Sequence, residues 1–177
     1  MDVAKLRNTK VTVIGAARSG VGAAKLLLSQ GSKVFVSDKE SGANLKPQTS
    51  NLKSLGVEFE LGGHTGRVYN CSLMVISPGV PSNAPVVIES QKRGIKVVSE
   101  LEVASWFCRA PIVAVTGSNG KTTTTTLTGR ILGDAKKKHA VAGNIGTAFS
   151  SVVPDLNETD VAVLEVSSFQ LDHCETF

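Results

Sequence analysis

Cysteine, aromatic residues and long apolar runs are all scarce in this chain of 177 residues. Its three cysteines, Cys71, Cys108 and Cys174, are odd in number and widely spaced. That excludes a disulfide framework and a paired-thiol metal site, and reads as reduced thiols. One Trp and one Tyr leave no basic–aromatic interleaving of the kind that stacks single-stranded nucleic acid, so no nucleic-acid partner is expected. No uninterrupted apolar stretch is long enough to span a bilayer, and no membrane partner is expected. Met1 to Arg7 lacks the apolar core of a signal peptide, which makes the cytoplasm the default. Excess charge is small at +4. Its densest cluster, Lys136-Lys137-Lys138-His139, falls where a helix should end and complements the dipole there. Hydrophobic content of 41% with 19% charged residues is that of a globular protein. The length suits one domain, or one and part of another.

The most informative stretch is Ile112 to Thr122. An apolar, β-branched run reads as a buried strand, then breaks into Thr-Gly-Ser-Asn-Gly-Lys-Thr (116–122) at the start of a helix. That order suits a phosphate cradle. Glycines admit backbone N–H groups to an anion, the helix N-terminus adds partial positive charge, Lys121 supplies a point charge, and Thr122 offers a hydroxyl to Mg²⁺. The spacing is a variant, because the first glycine of the common phosphate-loop pattern would fall at Val115. A strand, Val161 to Glu165, ends downstream in a carboxylate well placed to hold Mg²⁺ beside such a loop.

The N-terminal half repeats a strand–helix alternation. Lys10 to Gly15 reads as a strand running into Gly15-Ala16-Ala17-Arg18-Ser19-Gly20, then a helix through Val21, Ala24, Leu27 and Leu28 to Gly31. This is a dinucleotide fingerprint with its middle glycine replaced by Ala17, whose methyl hinders close approach to a pyrophosphate. The next strand, 33–37, ends at Asp38, an acid able to accept hydrogen bonds from a ribose or a base edge. A helix is expected over 47–55 and a strand over 57–61, then a turn at Gly62-Gly63-His64. A buried strand over 73–76 runs into Ser77-Pro78-Gly79-Val80-Pro81, followed by a helix over 84–93, a strand over 96–98 and a helix over 100–107. After the phosphate loop come a helix over 122–132, a strand over 140–142, the loop Gly143-Asn144-Ile145-Gly146 and a short helix. Strands separated by helices throughout predict α/β architecture: a Rossmann-like parallel sheet over 1–108, then the start of a P-loop-type α/β domain over 109–177. Three strands are too few to bury that second sheet on both faces, so the second domain is expected to be incomplete.

Thr-Gly-Ser-Asn-Gly-Lys-Thr (116–122), Gly-Asn-Ile-Gly (143–146) and Glu-Val-Ser-Ser-Phe-Gln-Leu (165–171) together resemble the Mur ligases, ATP-dependent amino-acid ligases of peptidoglycan precursor synthesis. With Ser-Pro-Gly-Val-Pro (77–81), the likeness is to the branch that adds D-glutamate to UDP-N-acetylmuramoyl-L-alanine, and it covers essentially the whole chain. The resemblance implies that residues 1–108 hold the UDP substrate, with Arg18 and Ser19 by the diphosphate, Asp38 and Lys39 by the uracil and ribose, and Ser77, Pro78 and Gly79 near the sugar nucleotide. It implies that Gly117, Ser118, Asn119, Gly120, Lys121, Thr122 and Thr123 bind ATP, that Thr122 and Glu165 serve Mg²⁺, and that Asn144 and Ser167 face the substrate. Lys121, Glu165 and Asn144 are then the catalytic candidates. The family's second metal-site segment and its amino-acid-binding third domain have no counterpart here, and His173 follows the last motif too closely to stand in for the missing histidine. The 177 residues alone are therefore expected to be inactive. A monomer is expected. Three rivals stay open: a folylpolyglutamate-type ligase, which lacks a UDP-binding half; an NAD-dependent oxidoreductase, suggested by Gly15 to Asp38; and a non-catalytic nucleotide-binding regulator.

Overall fold

The computed structural model describes residues 6–42 and 45–177. Met1 to Lys5, most of the stretch read above for targeting, lies outside them. Among the described residues strand and helix alternate, with a 3₁₀ turn over Gly66–Tyr69 in place of an α-helix at one link. The first sheet is built from β1 (Lys10–Ile14), β2 (Lys33–Asp38), β3 (Glu58–Leu61), β4 (Leu73–Ile76) and β5 (Lys96–Ser99). All neighbours pair parallel, in the order β3-β2-β1-β4-β5. Chain order turns back on itself between β1 and β4, and that switch opens a crevice at the carboxyl ends of the strands. The connecting helices are α1 (Arg18–Ser29), α2 (Lys46–Ser54), α3 (Pro85–Lys92) and α4 (Glu100–Phe107). The interior strand β4 is buried along its whole length, which suits its unbroken Leu-Met-Val-Ile run between two helical layers.

The second sheet comprises β6 (Ile112–Val115), β7 (His139–Gly143) and β8 (Val161–Glu165), parallel and ordered β6-β8-β7. Its helices are α5 (Lys121–Asp134), α6 (Phe149–Val152) and α7 (Ser168–Leu171). The helix after the phosphate loop starts one residue earlier and ends two later than the 122–132 expected. Gly120 supplies a left-handed N-cap at φ 76°, and Lys136 turns the chain away at φ 55°. β7 is longer than expected because His139 and Gly143 complete the register with Val161 and Glu165.

The two sheets share a core. Leu26 of α1 with Leu101 and Ala104 of α4 packs into one buried cluster with Phe149, Leu164 and Val166 from the second sheet's elements. Burying a side chain such as Phe149, fully inaccessible to solvent, is worth about 1.5–3 kcal/mol. α1 also crosses α6 closely at Gly22, where an added Cβ would lie 2.6 Å from the hydroxyls of both Ser150 and Ser151.

Two acids of α4 reach across the same boundary. Ser99 caps the helix by accepting the Glu102 N–H at 3.1 Å. Glu100 is 1% exposed and accepts the Ser150 N–H at 2.7 Å. Burial raises its pKa despite the bonds from Ser150. Glu102 accepts the backbone N–H groups of Glu175, Thr176 and Phe177 at 3.0 Å on one oxygen. Its other oxygen takes the Thr176 hydroxyl at 2.6 Å and Trp106 Nε1 at 2.9 Å. Burial opposes the charge on Glu102, but these donors bring its pKa down to about 2. The 173–177 segment is further held by Ser99 N–H on the His173 carbonyl and by a Lys96–Glu175 ion pair.

Candidate functional site

Two clusters of the residues singled out in the sequence sit at strand carboxyl ends, one on each sheet. On the first sheet, a cavity of about 660 Å³ opens at the switch between β1 and β4. Arg18, Ser19, Asp38, Lys39, Ser77, Pro78 and Gly79 all line it, as does Ala17. Asp38 is buried and closes the loop after β1, accepting the Ala16 N–H at 2.6 Å and the Glu40 N–H at 2.9 Å. Its carboxylate therefore fixes the turn as well as facing the cavity. Arg18 donates to the Gly146 carbonyl at 2.5 Å, so the first residue of α1 is tied to a loop of the second sheet.

The second cluster gathers around Glu165, which is 2% exposed at the end of the middle strand β8. One carboxylate oxygen accepts the Thr122 hydroxyl at 2.6 Å, and the other accepts Asn144 Nδ2 at 2.9 Å. Asn144 N–H also donates to the Glu165 carbonyl at 2.8 Å. That approach requires Gly143, at φ 104°, where a Cβ would sit 2.3 Å from the same carbonyl. Lys121 Nζ curls over the loop to donate to the Gly117 carbonyl at 2.7 Å. No side chain caps α5, so the first N–H groups of the helix, at Lys121, Thr122 and Thr123, are available to an anion above the exposed Gly117–Gly120 loop. Ser167 is occupied differently: it forms a reciprocal cap with Gln170 at the start of α7.

A metal ion would find hard oxygen donors here. The Thr122 hydroxyl and Glu165 carboxylate are adjacent at the rim of the phosphate loop, the sparse protein set Mg²⁺ accepts when phosphate and water complete its shell. Among the described residues there is no group of three or more His, Cys, Asp or Glu side chains able to hold a metal. The cysteines are free thiols, and no described helix is long and apolar enough to cross a membrane.

Two features escaped the sequence. Arg18 carries no sign of its partner, which lies 128 residues away. His64 stands in a Gly-Gly-His turn read only as a turn, although it too lines the cavity; a histidine directly after a glycine turn at a strand end was the available signal.

A Rossmann-type parallel sheet joined through a shared core to a second parallel sheet defines an α/β protein with a polar cluster at the strand carboxyl ends of each sheet. Residues 10–86 match the model for the MurD N-terminal domain and residues 115–176 that for the Mur ligase middle domain. The chain belongs to the Mur ligase family. It is 48% identical to UDP-N-acetylmuramoylalanine–D-glutamate ligase of Salinibacter ruber over 98% of its length, and 49% identical to that of Chlorobaculum parvum over 100%. In both cases it spans only 38% of the relative's length. Among solved structures it resembles a pseudomurein peptide ligase type C from Methanothermus fervidus (28% identity, TM-score 0.52, covering 91% of this chain and 33% of that one). A UDP-N-acetylmuramate-alanine ligase from Thermotoga maritima shares the fold at 21% identity and TM-score 0.52, over 90% of this chain and 37% of that one.

Proposed function

We propose that residues 1–108 form the UDP-substrate-binding domain and residues 109–177 the beginning of the ATP-binding domain of a cytoplasmic, monomeric ligase. In the whole protein the reaction is ATP-dependent addition of D-glutamate to UDP-N-acetylmuramoyl-L-alanine. The observation that carries the reading is the convergence of Thr122, Asn144 and Lys121 around Glu165 and the phosphate loop, next to a cavity at the neighbouring sheet's switch point.

The chemistry follows from the poor leaving ability of carboxylate oxygen. The γ-phosphoryl group of ATP passes to the substrate carboxylate, leaving ADP and an acyl phosphate. The amine of D-glutamate then attacks the acyl carbon and expels phosphate. Uncapped N–H groups of α5 and the Lys121 ammonium offset the charge of the triphosphate. Thr122 and Glu165 would hold Mg²⁺, which supplies further charge neutralisation at the phosphates when bound. Asn144, held by its amide on Glu165, would face the substrate. Asp38 accepts from the nucleoside while bracing the turn after β1.

Calorimetric titration with UDP-N-acetylmuramoyl-L-alanine, Mg-ATP and NAD⁺, each separately, tests this. The expected result is binding of the UDP compound that is lost in Asp38→Asn, binding of Mg-ATP that is lost in Lys121→Ala, and no heat with NAD⁺. Binding of NAD⁺ without the UDP compound would return Gly15 to Asp38 to a dinucleotide role and overturn the proposal.

A further inference from the structure

A directed chain of hydrogen bonds lies behind the first-sheet cavity. Ser37, wholly buried, places its Oγ 2.9 Å from Glu60 Oε1 and 2.7 Å from His64 Nδ1, with the Gly63 carbonyl farther off at 3.4 Å. Glu60 also accepts the Thr65 N–H at 3.0 Å and the Thr65 hydroxyl at 2.7 Å. Burial works against its charge, but the Thr65 and Ser37 bonds and the nearby Arg67 hold the carboxyl below its usual range. At neutral pH Glu60 can therefore only accept, and the single hydroxyl proton of Ser37 goes to it. Ser37 Oγ must then accept from the ring, which puts the imidazole proton on Nδ1.

That assignment leaves His64 Nε2 as a lone pair. Among the described residues Nε2 has no hydrogen-bond partner, and the half-buried ring lines the cavity. Burial pushes the ring's pKa down and Lys39 adds to the fall, while the Asp38 and Glu60 carboxylates pull the other way; the net direction is down, and the ring is neutral at pH 7. His64 lines the cavity together with Asp38 and Lys39.

We infer that His64 is a positioning and specificity-determining residue of this cavity, its Nε2 fixed by Ser37 and Glu60 as a hydrogen-bond acceptor for a donor on the bound nucleoside. The donor is a ribose hydroxyl or the imide N–H of the base. The inference rests on the reading of the cavity as a nucleoside-diphosphate site. An acceptor that cannot flip selects a ligand with a donor at that point, because a ligand presenting an acceptor there meets two opposed lone pairs.

Long-range ¹H–¹⁵N spectra of the imidazoles in ¹⁵N-labelled chain, with and without UDP, provide the test, and loss of signals in His64→Gln assigns the ring. The free protein should show a protonated Nδ1 and an unprotonated Nε2. Saturating UDP should move Nε2 and leave Nδ1 in place, and His64→Leu should weaken UDP about tenfold. Ser37→Ala, a small change in a packed strand, should release the ring into a mixture of tautomers. CDP and 2′-deoxy-UDP separate the two donors: CDP weakened with 2′-deoxy-UDP unchanged identifies the imide, and the reverse identifies the 2′-hydroxyl. A free ring protonated on Nε2, or UDP binding by calorimetry with Nε2 unmoved, refutes the inference while leaving the nucleotide site standing. Absence of any UDP binding refutes the site itself and the inference with it.

Discussion

Replacing Glu102 by Gln removes the acceptor on which residues 175–177 hang. The substituted amide keeps one oxygen for the Trp106 and Thr176 side chains, but turns an NH₂ group toward three backbone N–H donors. The fall of the Glu102 pKa from 4.5 to about 2 corresponds to about 3 kcal/mol between its two protonation states. Glu175 and Thr176 are exposed, so solvent screening reduces the contribution to about 1–2 kcal/mol. Because the folded carboxyl titrates below the unfolded one, this stabilisation is complete above about pH 4.5 and disappears as pH falls toward 2. At pH 7 the variant should melt about 5 °C lower and lose amide-exchange protection at residues 175–177. Trp106 is the chain's single tryptophan and donates directly to this carboxylate, so its fluorescence reports the same event. Unchanged melting and unchanged protection at 175–177 in Glu102→Gln would refute the reasoning, as would a parent fluorescence transition centred near pH 4.5.

Glu100, two residues away, should behave oppositely. Its folded pKa is raised by burial, so its ionisation opposes folding increasingly as pH rises above the unfolded value. Glu100→Gln keeps an acceptor for the Ser150 N–H and should melt at least as high as the parent at pH 8, with the difference shrinking below pH 5; a lower melting point at pH 8 sinks the argument. Gly143→Ala puts a methyl 2.3 Å from the Glu165 carbonyl at φ 104°, and should cost about 2–4 kcal/mol by combining left-handed strain with a backbone clash. Loss of less than 1 kcal/mol in urea unfolding would show that the β7–β8 junction relaxes freely.

Much of the architecture was readable because its signals are local. Alternating apolar runs and glycine stops place strands and helices, and Gly120-Lys121-Thr122 marks the loop. Strand order is not local: nothing in Ile112–Val115 says that it pairs with Val161–Glu165 rather than with His139–Gly143, which comes first along the chain. The site divides in the same way. Thr122 and Glu165 could each be named from their own surroundings, yet the single carboxylate that joins Thr122 to Asn144 depends on β8 lying between the other two strands. Glu100 and Glu102 look like ordinary first-turn acids of a helix, and apart from Trp106 on the same helix their partners come from the packing of α6 and the 173–177 segment against α4. Ser167 was expected to face the substrate, but its local sequence, with Gln170 three residues on, also specifies the capping box it forms.

α1 can be regarded as a lever. Its twelve residues make a rod about 18 Å long, braced against α6 at Gly22 and seated in the shared core at Leu26. Arg18 lies one turn, about 6 Å, on the short side of that fulcrum. A tilt on the order of 10° would swing the Arg18 end by about 1 Å, enough to stretch its 2.5 Å bond to the Gly146 carbonyl beyond hydrogen-bonding range. Arg18 both lines the cavity and holds the Gly146 carbonyl, so a ligand that shifted the tip of this bar would pull on the Gly143–Gly146 loop through that one guanidinium.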